Sequence, residues 1–302
     1  MNKLLIKGNR YKIWIYLFFI LTSLFFVLPI ILIISISFSS ESSVTGIGQS
    51  FGLIPKEFSL NAYRMAFKNP ESIYRAYWIT ATQAFLGTAF SCLVVGMVAY
   101  PLSRTSFAYK KPIAFIIFFT MLFSGGMIPT YIVYTQWYKL ADNYLVYILP
   151  GLTGGAWNTL VVRTFFKQLP ESLFEAAKID GTNEITCFFR IAFPLSKPVF
   201  ATIGFMTLVI KWNDWFTPLL YIRDRNLYTL QYMLQRILRE SEFMNALMSR
   251  PFEGMSNIAF AARPVETLRY AICVIAAGPM LIAFPFFQKY LVKGLTVGAI
   301  KG

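Results

Sequence analysis

Long apolar runs with few charges are the feature that most limits what this chain can fold into. The sequence has 302 residues, of which 56% are hydrophobic and only 14% are charged. A soluble domain normally has about a quarter charged residues. A run of about 20 apolar residues can cross a membrane as a helix, which satisfies its own backbone hydrogen bonds there. The sequence therefore predicts an all-α integral membrane protein.

Six such runs predict six transmembrane helices in one domain, residues 1–302, with little room for a separate soluble domain. The predicted spans lie at about 13–38, 76–102, 112–135, 143–166, 198–222 and 266–291. The first run follows a basic stretch, as a secretory signal core would. It is too long for a signal core, however, and no small-residue cleavage site follows it. We expect an uncleaved first span.

The positions of lysine and arginine predict the orientation of these spans. Basic residues occur before the first span, between the second and third, between the fourth and fifth, and after the sixth. Short loops rich in lysine and arginine face the cytoplasm. The pattern predicts that both termini are cytoplasmic and that the polar segments 39–75 and 223–263 lie outside.

Composition excludes several classes of function. The net charge is +14, but the basic residues flank apolar runs and form no aromatic-laced patch, so nucleic-acid binding is not expected. The chain has no histidine, which excludes histidine-based catalysis, metal sites and proton relays. Its three cysteines, Cys92, Cys187 and Cys273, are isolated, so neither a disulfide framework nor a metal site is expected.

A charged island, residues 163–197, separates the fourth and fifth spans. Within it, the run 170–179 predicts a short amphipathic helix with proline at its start and acidic residues in its first turns. Gly181 supplies a flexible turn, and Asn183 can cap a second short helix through Arg190. Two short helices joined by a glycine make a compact protrusion that can dock into a groove on another protein.

The spacing within this island is specific. It contains Glu-Ala-Ala, then Asp-Gly, then Ile-x-x-Pro, formed by Glu175, Ala176, Ala177, Asp180, Gly181, Ile191 and Pro194. This set resembles the EAA loop of permease subunits from bacterial ATP-binding-cassette (ABC) importers, and its details resemble the carbohydrate branch of MalG and LplC type. The resemblance implies the MetI-like fold of type I importers, with six helices. It also implies a cytoplasmic coupling loop, 167–197, in which those seven residues contact an ATPase.

The same resemblance implies the partners and the location. It implies a second permease of MalF or LplB type, a cytoplasmic ATPase dimer, an extracellular solute-binding protein and a carbohydrate substrate, with oligosaccharides favoured. It places the chain in the bacterial inner or plasma membrane, in contact with lipid. No cofactor is expected in this chain, since ATP and Mg²⁺ would be bound by the partner ATPase. The chain lacks a phosphate-binding Gly-x-x-x-x-Gly-Lys loop of its own and is expected not to be an enzyme.

A polar cluster in the fifth predicted span is the candidate substrate path. It consists of Lys211, Trp212, Asn213, Asp214 and Trp215. Ionisable groups at bilayer depth are costly unless paired or wetted, and Lys211 and Asp214 are spaced to share a helix face and pair. Amides and aromatic rings suit sugar hydroxyls and sugar faces, which adds Asn158. The alternative is an internal ion pair that holds this helix against its neighbours.

Two further stretches resemble the same permeases. Gly125-Gly126 with Pro129 permits unwound backbone lining a cavity, or close helix packing. The tail 294–302 resembles a C-terminal end that reaches the ATPase interface.

Two other classes of function remain open from the residues alone. An ion-coupled secondary transporter could use Lys211 and Asp214, and it would work without an ATPase. A membrane-embedded enzyme on a lipid substrate would need clustered carboxylates or a nucleophile with a base. The 14 acidic residues are scattered, and their densest group lies inside the EAA pattern. The sequence does not determine the sugar, its length or its linkage.

Overall fold

The computed structural model of the protein describes residues 2–45, 52–248 and 266–297. No strand is present in these ranges, and one isolated bridge joins Ser39 and Phe58. The all-α membrane class is therefore confirmed. The helices are α1 (Asn2–Ser37), α2 (Glu41–Thr45), α3 (Asn61–Ala66), α4 (Pro70–Ser103), α5 (Lys110–Leu122), α6 (Met127–Ile132), α7 (Ala156–Phe166), α8 (Glu171–Ile179), α9 (Glu184–Cys187), α10 (Phe193–Leu195), α11 (Lys197–Trp212), α12 (Phe216–Tyr221), α13 (Leu230–Met248) and α14 (Glu266–Val297).

Short segments of other helix types connect these elements. Two π-helical turns, Val133–Trp137 and Phe188–Ala192, continue α6 and α9. The described residues also form 3₁₀ turns at Tyr144–Tyr147, Leu149–Thr153 and Arg225–Leu227.

Among the residues that the structure describes, three helices are long and apolar enough to cross a membrane alone. They are Tyr11–Ser37, Pro70–Ser103 and Glu266–Pro285. Three bent pairs raise the number to six, if each pair is one span. The pairs are Lys110–Leu122 with Met127–Trp137, Tyr144–Thr153 with Ala156–Phe166, and Glu184–Leu195 with Lys197–Trp212, bent by 112°, 46° and 81°.

Glycines produce the breaks within the third and fourth predicted spans. Gly126 has φ +83°, Gly154 has φ +62° and Gly155 has φ +77°, a region that a side chain makes unfavourable. No atom lies within 4 Å of the position that a Cβ on Gly126 would take. In the described part of the chain, the pair Gly125-Gly126 therefore forms an unwound corner between α5 and α6, and not a close contact between helices.

The fifth predicted span is also interrupted. α11 ends at Trp212, residues 213–215 are non-helical, and α12 begins at Phe216. The sequence predicted one run through residue 222, so the continuous helix expected here was wrong. Pro218 contributes to the physical reason, because it has no N–H to bond the Asp214 carbonyl four residues earlier and its ring crowds that carbonyl. Hydrogen bonds from Gln83 and Thr229 to the Lys211 and Asp214 carbonyls then stabilise the broken backbone.

The described contacts divide the chain into two units. The first comprises Met1–Pro70 and Leu234–Gly278. Within it, the Glu41 carboxylate accepts hydrogen bonds from the backbone N–H groups of Glu266 and Thr267, at 3.0 and 2.9 Å. These N–H groups begin α14, where a negative charge is favourable. Phe38 stacks on Phe58 and Tyr63, so the polar segment after the first span is packed.

The second unit comprises Glu71–Met233 and Pro279–Gly302. Two hydrophobic clusters of its described residues lie toward opposite ends of α4. One surrounds Tyr100, Phe166, Phe174 and Phe188 and packs α8 and the π-turn against α4 and α7. The other joins Ile79 to residues of the 3₁₀ turns and α12. The candidate sites are built on these two clusters.

Candidate functional site

The protrusion predicted between the fourth and fifth spans is formed by α8, α9 and the π-turn Phe188–Ala192. We call these three segments together the knob. α8 starts directly after Pro170, whose fixed φ suits a helix start. Its inner face is Phe174, only 2% exposed, and Ala177. Its outer face presents Glu175 and Ala176. Ala177 therefore packs into the chain's own core, whereas the sequence placed it at the ATPase contact.

The turn of the knob follows the sequence prediction. Gly181 has φ +78°, and its N–H donates to the Lys178 carbonyl at 3.0 Å. Asn183 caps α9, because its Oδ1 accepts from the Thr186 N–H at 2.8 Å. The second helix was predicted to run through Arg190 as an α-helix, but it becomes a π-turn at Phe188.

The other predicted coupling residues occupy two different environments. Asp180 is exposed at the C-terminal end of α8. Ile191 and Pro194 are half-buried, and Ile191 packs on the core cluster. Ile191 belongs to the base of the knob and Pro194 follows it, and both present less surface than Asp180.

An ion pair joins α8 to α9 within the knob. Lys178 Nζ lies 2.8 Å from Glu184 Oε1, and the Tyr100 hydroxyl donates to Glu184 Oε2 at 2.8 Å. The hydrogen bond from Lys178 holds the pKa of Glu184 below its ordinary value, and the Tyr100 hydrogen bond adds to this. The same pair raises the pKa of Lys178. α8 and α9 are therefore fixed to each other and to α4.

Two exposed isoleucines of the knob were missed by the sequence reasoning. Ile179 is 86% exposed and Ile185 is 65% exposed. Large apolar side chains in the centre of a protein–protein contact commonly contribute most of its binding energy. The sequence did carry a signal for them, because both isoleucines occur within the otherwise polar stretch 178–186.

A polar cavity of about 550 Å³ lies beside the break after α11. Ser91 of α4, Tyr147 of the 3₁₀ turns and Thr217 of α12 contribute to its wall. The structure brings five of the six predicted path residues to this cavity, namely Asn158, Lys211, Asn213, Asp214 and Trp215. Trp212 is absent from the described lining. It is buried, and its ring lies 6.5 Å from that of Tyr77.

Lys211 is held by backbone and by glycines. Its Nζ donates to the Tyr147 carbonyl at 2.9 Å. A Cβ on Gly87 would lie 2.7 Å from its side chain, and a Cβ on Gly151 would lie 2.8 Å from its Nζ. A Cβ at either position would force the end of the lysine side chain to shift, so the two glycines leave room for it between α4 and the 3₁₀ segment.

The predicted ion pair between Lys211 and Asp214 was wrong. In the described part of the chain, the Asp214 carboxylate instead accepts from the Thr217 N–H at 3.0 Å and caps α12. The i, i+3 spacing brings side chains together only on a continuous helix, and α11 ends before Asp214.

The backbone groups freed by the break have partners from other elements. Gln83 of α4 donates to the Lys211 carbonyl at 2.5 Å. Thr229 donates to the Asp214 carbonyl at 2.7 Å. The Asn213 side chain at the break is also held, since Gln231 donates to its Oδ1 at 3.1 Å. A helix end without such partners would leave buried carbonyls unsatisfied. The break is therefore a bonded feature of the fold.

No cluster of metal-ligating side chains occurs among the residues that the structure describes. The polar groups of the cavity are amides, hydroxyls, one indole ring, one ammonium and one carboxylate. Such a set suits hydrogen bonding and ring contacts with a neutral or mixed-charge ligand, rather than bond-breaking chemistry.

Comparisons with known proteins agree with this arrangement. Residues 5–297 match the family described as "Binding-protein-dependent transport system inner membrane component". The polygalacturonan/rhamnogalacturonan transport system permease protein YtcP of Bacillus subtilis is 38% identical, over 98% of this chain and 100% of that protein. Protein LplC of the same organism is 38% identical, over 91% of this chain and 90% of LplC.

A solved structure shows the same fold. It is the crystal structure of a bacterial ABC transporter involved in the import of the acidic polysaccharide alginate, with a TM-score of 0.76 and 29% identity. The match covers 93% of this chain and 96% of that chain. This chain belongs to the family of inner-membrane components of binding-protein-dependent transport systems, and it is a non-enzymatic permease subunit of an ABC importer.

Proposed function

We propose that the chain forms half of the translocation pathway of an ATP-driven importer for oligosaccharides. The observation that carries this proposal is its similarity over nearly the full length to YtcP, a permease named for transport of polygalacturonan and rhamnogalacturonan. The alginate importer, another system named for a polysaccharide, has the same fold. A second permease of MalF or LplB type completes the pathway, and an extracellular solute-binding protein delivers the sugar.

The knob is the docking point for the ATPase. α8 projects Glu175, Ala176 and Ile179 outward, whereas Phe174 anchors its inner face. A rigid, exposed helix with an apolar tip can fill a groove on a partner. ATP and Mg²⁺ bind to that partner, and its closure moves the knob. In this arrangement the knob and both termini face the cytoplasm, as the basic short loops favour.

The polar cavity is the substrate path. Asn158 and Asn213 supply amides for sugar hydroxyls, and Trp215 supplies an aromatic face. The cavity volume of about 550 Å³ is within the range of pockets that hold small molecules. An ion-coupled secondary transporter or a lipid-modifying enzyme is disfavoured, because membership of the permease family accounts for the knob, which neither alternative would need.

Co-purification tests this function directly. The chain is solubilised in mild detergent from its native membrane, and its bound proteins are identified by mass. Recovery of an ATPase, a second permease and a sugar-binding lipoprotein is the expected result. We expect Glu175→Lys to insert normally and to lose ATPase, because it reverses a charge on the exposed face of α8. Recovery of the chain alone from the unmodified membrane would contradict the proposal.

Glycan-array screening of the recovered lipoprotein then tests the substrate class. Binding of oligosaccharides is expected, and binding of only amino acids, peptides or metal ions would contradict the carbohydrate assignment while leaving the importer intact.

A further inference from the structure

We propose that Arg104 is a positioning residue that ties the knob to α4, so that a displacement of the knob is transmitted along α4 to the polar cavity. This inference rests on the proposed function, because it needs an ATPase that moves the knob. Arg104 follows the last residue of α4 and is only 4% exposed. It was not singled out by its sequence context.

The guanidinium of Arg104 joins three elements. Its Nη1 lies 3.3 Å from Glu171 Oε2 at the start of α8. Its Nη2 donates to the Phe166 carbonyl at the end of α7, at 3.2 Å. Its plane lies over the Phe174 ring, with Cζ 3.7 Å from the ring centre. The residue thus contacts α8 by charge and by stacking at once.

Neighbouring contacts strengthen this junction. Thr105 donates to the second oxygen of Glu171 at 3.2 Å, so both carboxylate oxygens are held by the segment that follows α4. Arg163 of α7 donates to the Leu102 carbonyl at 3.0 Å. Tyr100, near the same end of α4, donates to Glu184 at the start of α9. The C-terminal end of α4 is therefore bonded to α7, α8 and α9, and these elements are expected to move as one body.

The same helix reaches the cavity. α4 is continuous from Pro70 to Ser103, and Gly87 lies about 25 Å from Arg104 at 1.5 Å per residue. There, Gly87 packs on Lys211 and Gln83 bonds to the Lys211 carbonyl, while Ser91 lines the cavity. A shift of α4 therefore displaces the wall of the cavity and the bonded break after α11.

Arginine has properties at this position that lysine lacks. A planar guanidinium can donate to two acceptors and stack on an aromatic ring simultaneously, whereas an ammonium is a point donor. Arg104→Lys keeps the charge but loses the stack on Phe174 and one of the two bonds. Glu171→Gln removes the ion pair and keeps the stack. Glu171 is partly exposed, so this second variant leaves the packed core intact.

The test uses the whole transporter, co-expressed with its own partner permease and ATPase and reconstituted in liposomes. Cys92→Ala, Cys187→Ala and Cys273→Ala remove the native thiols, and Thr153→Cys places one thiol in the exposed part of the cavity lining. A membrane-impermeant maleimide then reports access to the cavity. Labelling of this chain is measured without nucleotide and with ATP plus vanadate, and ATP hydrolysis is measured on the same liposomes.

With Arg104 present, trapping of ATP is expected to change the labelling rate. Arg104→Lys is expected to reduce that change by about fivefold or more, the range of ordinary coupling energies, while hydrolysis continues. Glu171→Gln is expected to give an intermediate loss. Arg64→Lys, an exposed arginine in α3, is the matched control and is expected to retain the full change. If Arg104 had only a structural role, the variant would lower assembly and ATP hydrolysis together. It would not lower the change in cavity labelling while hydrolysis continues.

The inference would be overturned if both Arg104→Lys and Glu171→Gln kept the full change in labelling rate on trapping of ATP. If Arg104→Lys does not assemble, Glu171→Gln alone decides the outcome. Absence of any nucleotide effect with Arg104 present would contradict the proposed function itself, and with it this inference.

Discussion

Gly154 lies so close to Val95 that a Cβ on the glycine would overlap the Cγ2 atom of the valine. The contact joins the loop before α7 to the C-terminal half of α4. Gly154 also has φ +62°, so both its backbone and its surroundings require the absence of a side chain.

We expect Gly154→Ala to destabilise the protein more than Gly155→Ala. Both glycines have positive φ, so both variants carry a backbone strain of roughly 1–2 kcal/mol. Only the first also forces an atom into a packed site, which costs about a further 1–3 kcal/mol. No atom lies within 4 Å of the corresponding position on Gly155. Thermal unfolding in detergent compares the two. Equal Tm values would contradict the tight packing on Val95.

We expect Lys211→Met to assemble and to transport poorly. The variant removes the hydrogen bond to the Tyr147 carbonyl, and a bond with a charged donor contributes roughly 1.5–3 kcal/mol. It also removes the ammonium from the cavity wall. Uptake of the sugar identified on the lipoprotein, measured in liposomes, should fall by about tenfold or more. Lys111→Met, at an exposed position, is the control. Normal uptake by a fully assembled Lys211→Met transporter would limit this residue to packing.

We expect Ile179→Asp to weaken binding of the ATPase strongly. This isoleucine is 86% exposed on the knob, and burying an apolar anchor in a partner commonly contributes about 2 kcal/mol. The affinity for the ATPase, measured by titration of the detergent-solubilised permease pair, should fall by about 30-fold. Ile54→Asp is the matched control, because Ile54 is 79% exposed and lies in the segment predicted to face outward. Equal affinities for the two variants would argue against an apolar contact at Ile179.

We expect the stability contributed by Glu184 to depend on pH. Hydrogen bonds from Lys178 and Tyr100 lower the pKa of its carboxyl below the ordinary value of 4.5. A lowered pKa in the folded state stabilises the protein at pH values above 4.5, and this contribution is lost as the pH falls through the folded-state pKa. Because the side chain is half exposed, its contribution should be about 1 kcal/mol or less.

The comparison of Glu184→Gln with the unmodified chain checks this dependence. Their Tm values should differ at pH 7 and converge toward pH 3. A difference that stays constant across this range would show that the Lys178 pair is not the origin of the effect.

The sequence was informative where local chemistry determines structure. The run 170–179 predicted α8, and Asn183 and Gly181 predicted the cap and the turn of the knob. Gly125-Gly126 with Pro129 permitted unwound backbone, and Gly126 forms the corner before α6. Each of these features depends on neighbours within a few residues, so the sequence pattern was sufficient.

Features that depend on distant residues could not be read from the sequence. The break after α11 has a local signal in Pro218, but Gln83, which donates to the Lys211 carbonyl at the break, lies 128 residues away. For the same reason the Lys211–Asp214 pair was predicted on a helix that does not continue. Arg104 resembled an ordinary basic residue at the end of a span until the structure placed it on Phe174 and Glu171.

The position of the Lys211 side chain between Gly87 and Gly151 limits which substitutions related permeases can accept. A side chain at position 87 or 151 would occupy the space that the lysine fills. Related permeases with lysine at this place should therefore keep glycine at both other positions. Those in which a smaller residue replaces the lysine are free to enlarge them. Positions 87, 151 and 211 should consequently change together in an alignment of the family, although 64 and 60 residues separate neighbouring members of the trio.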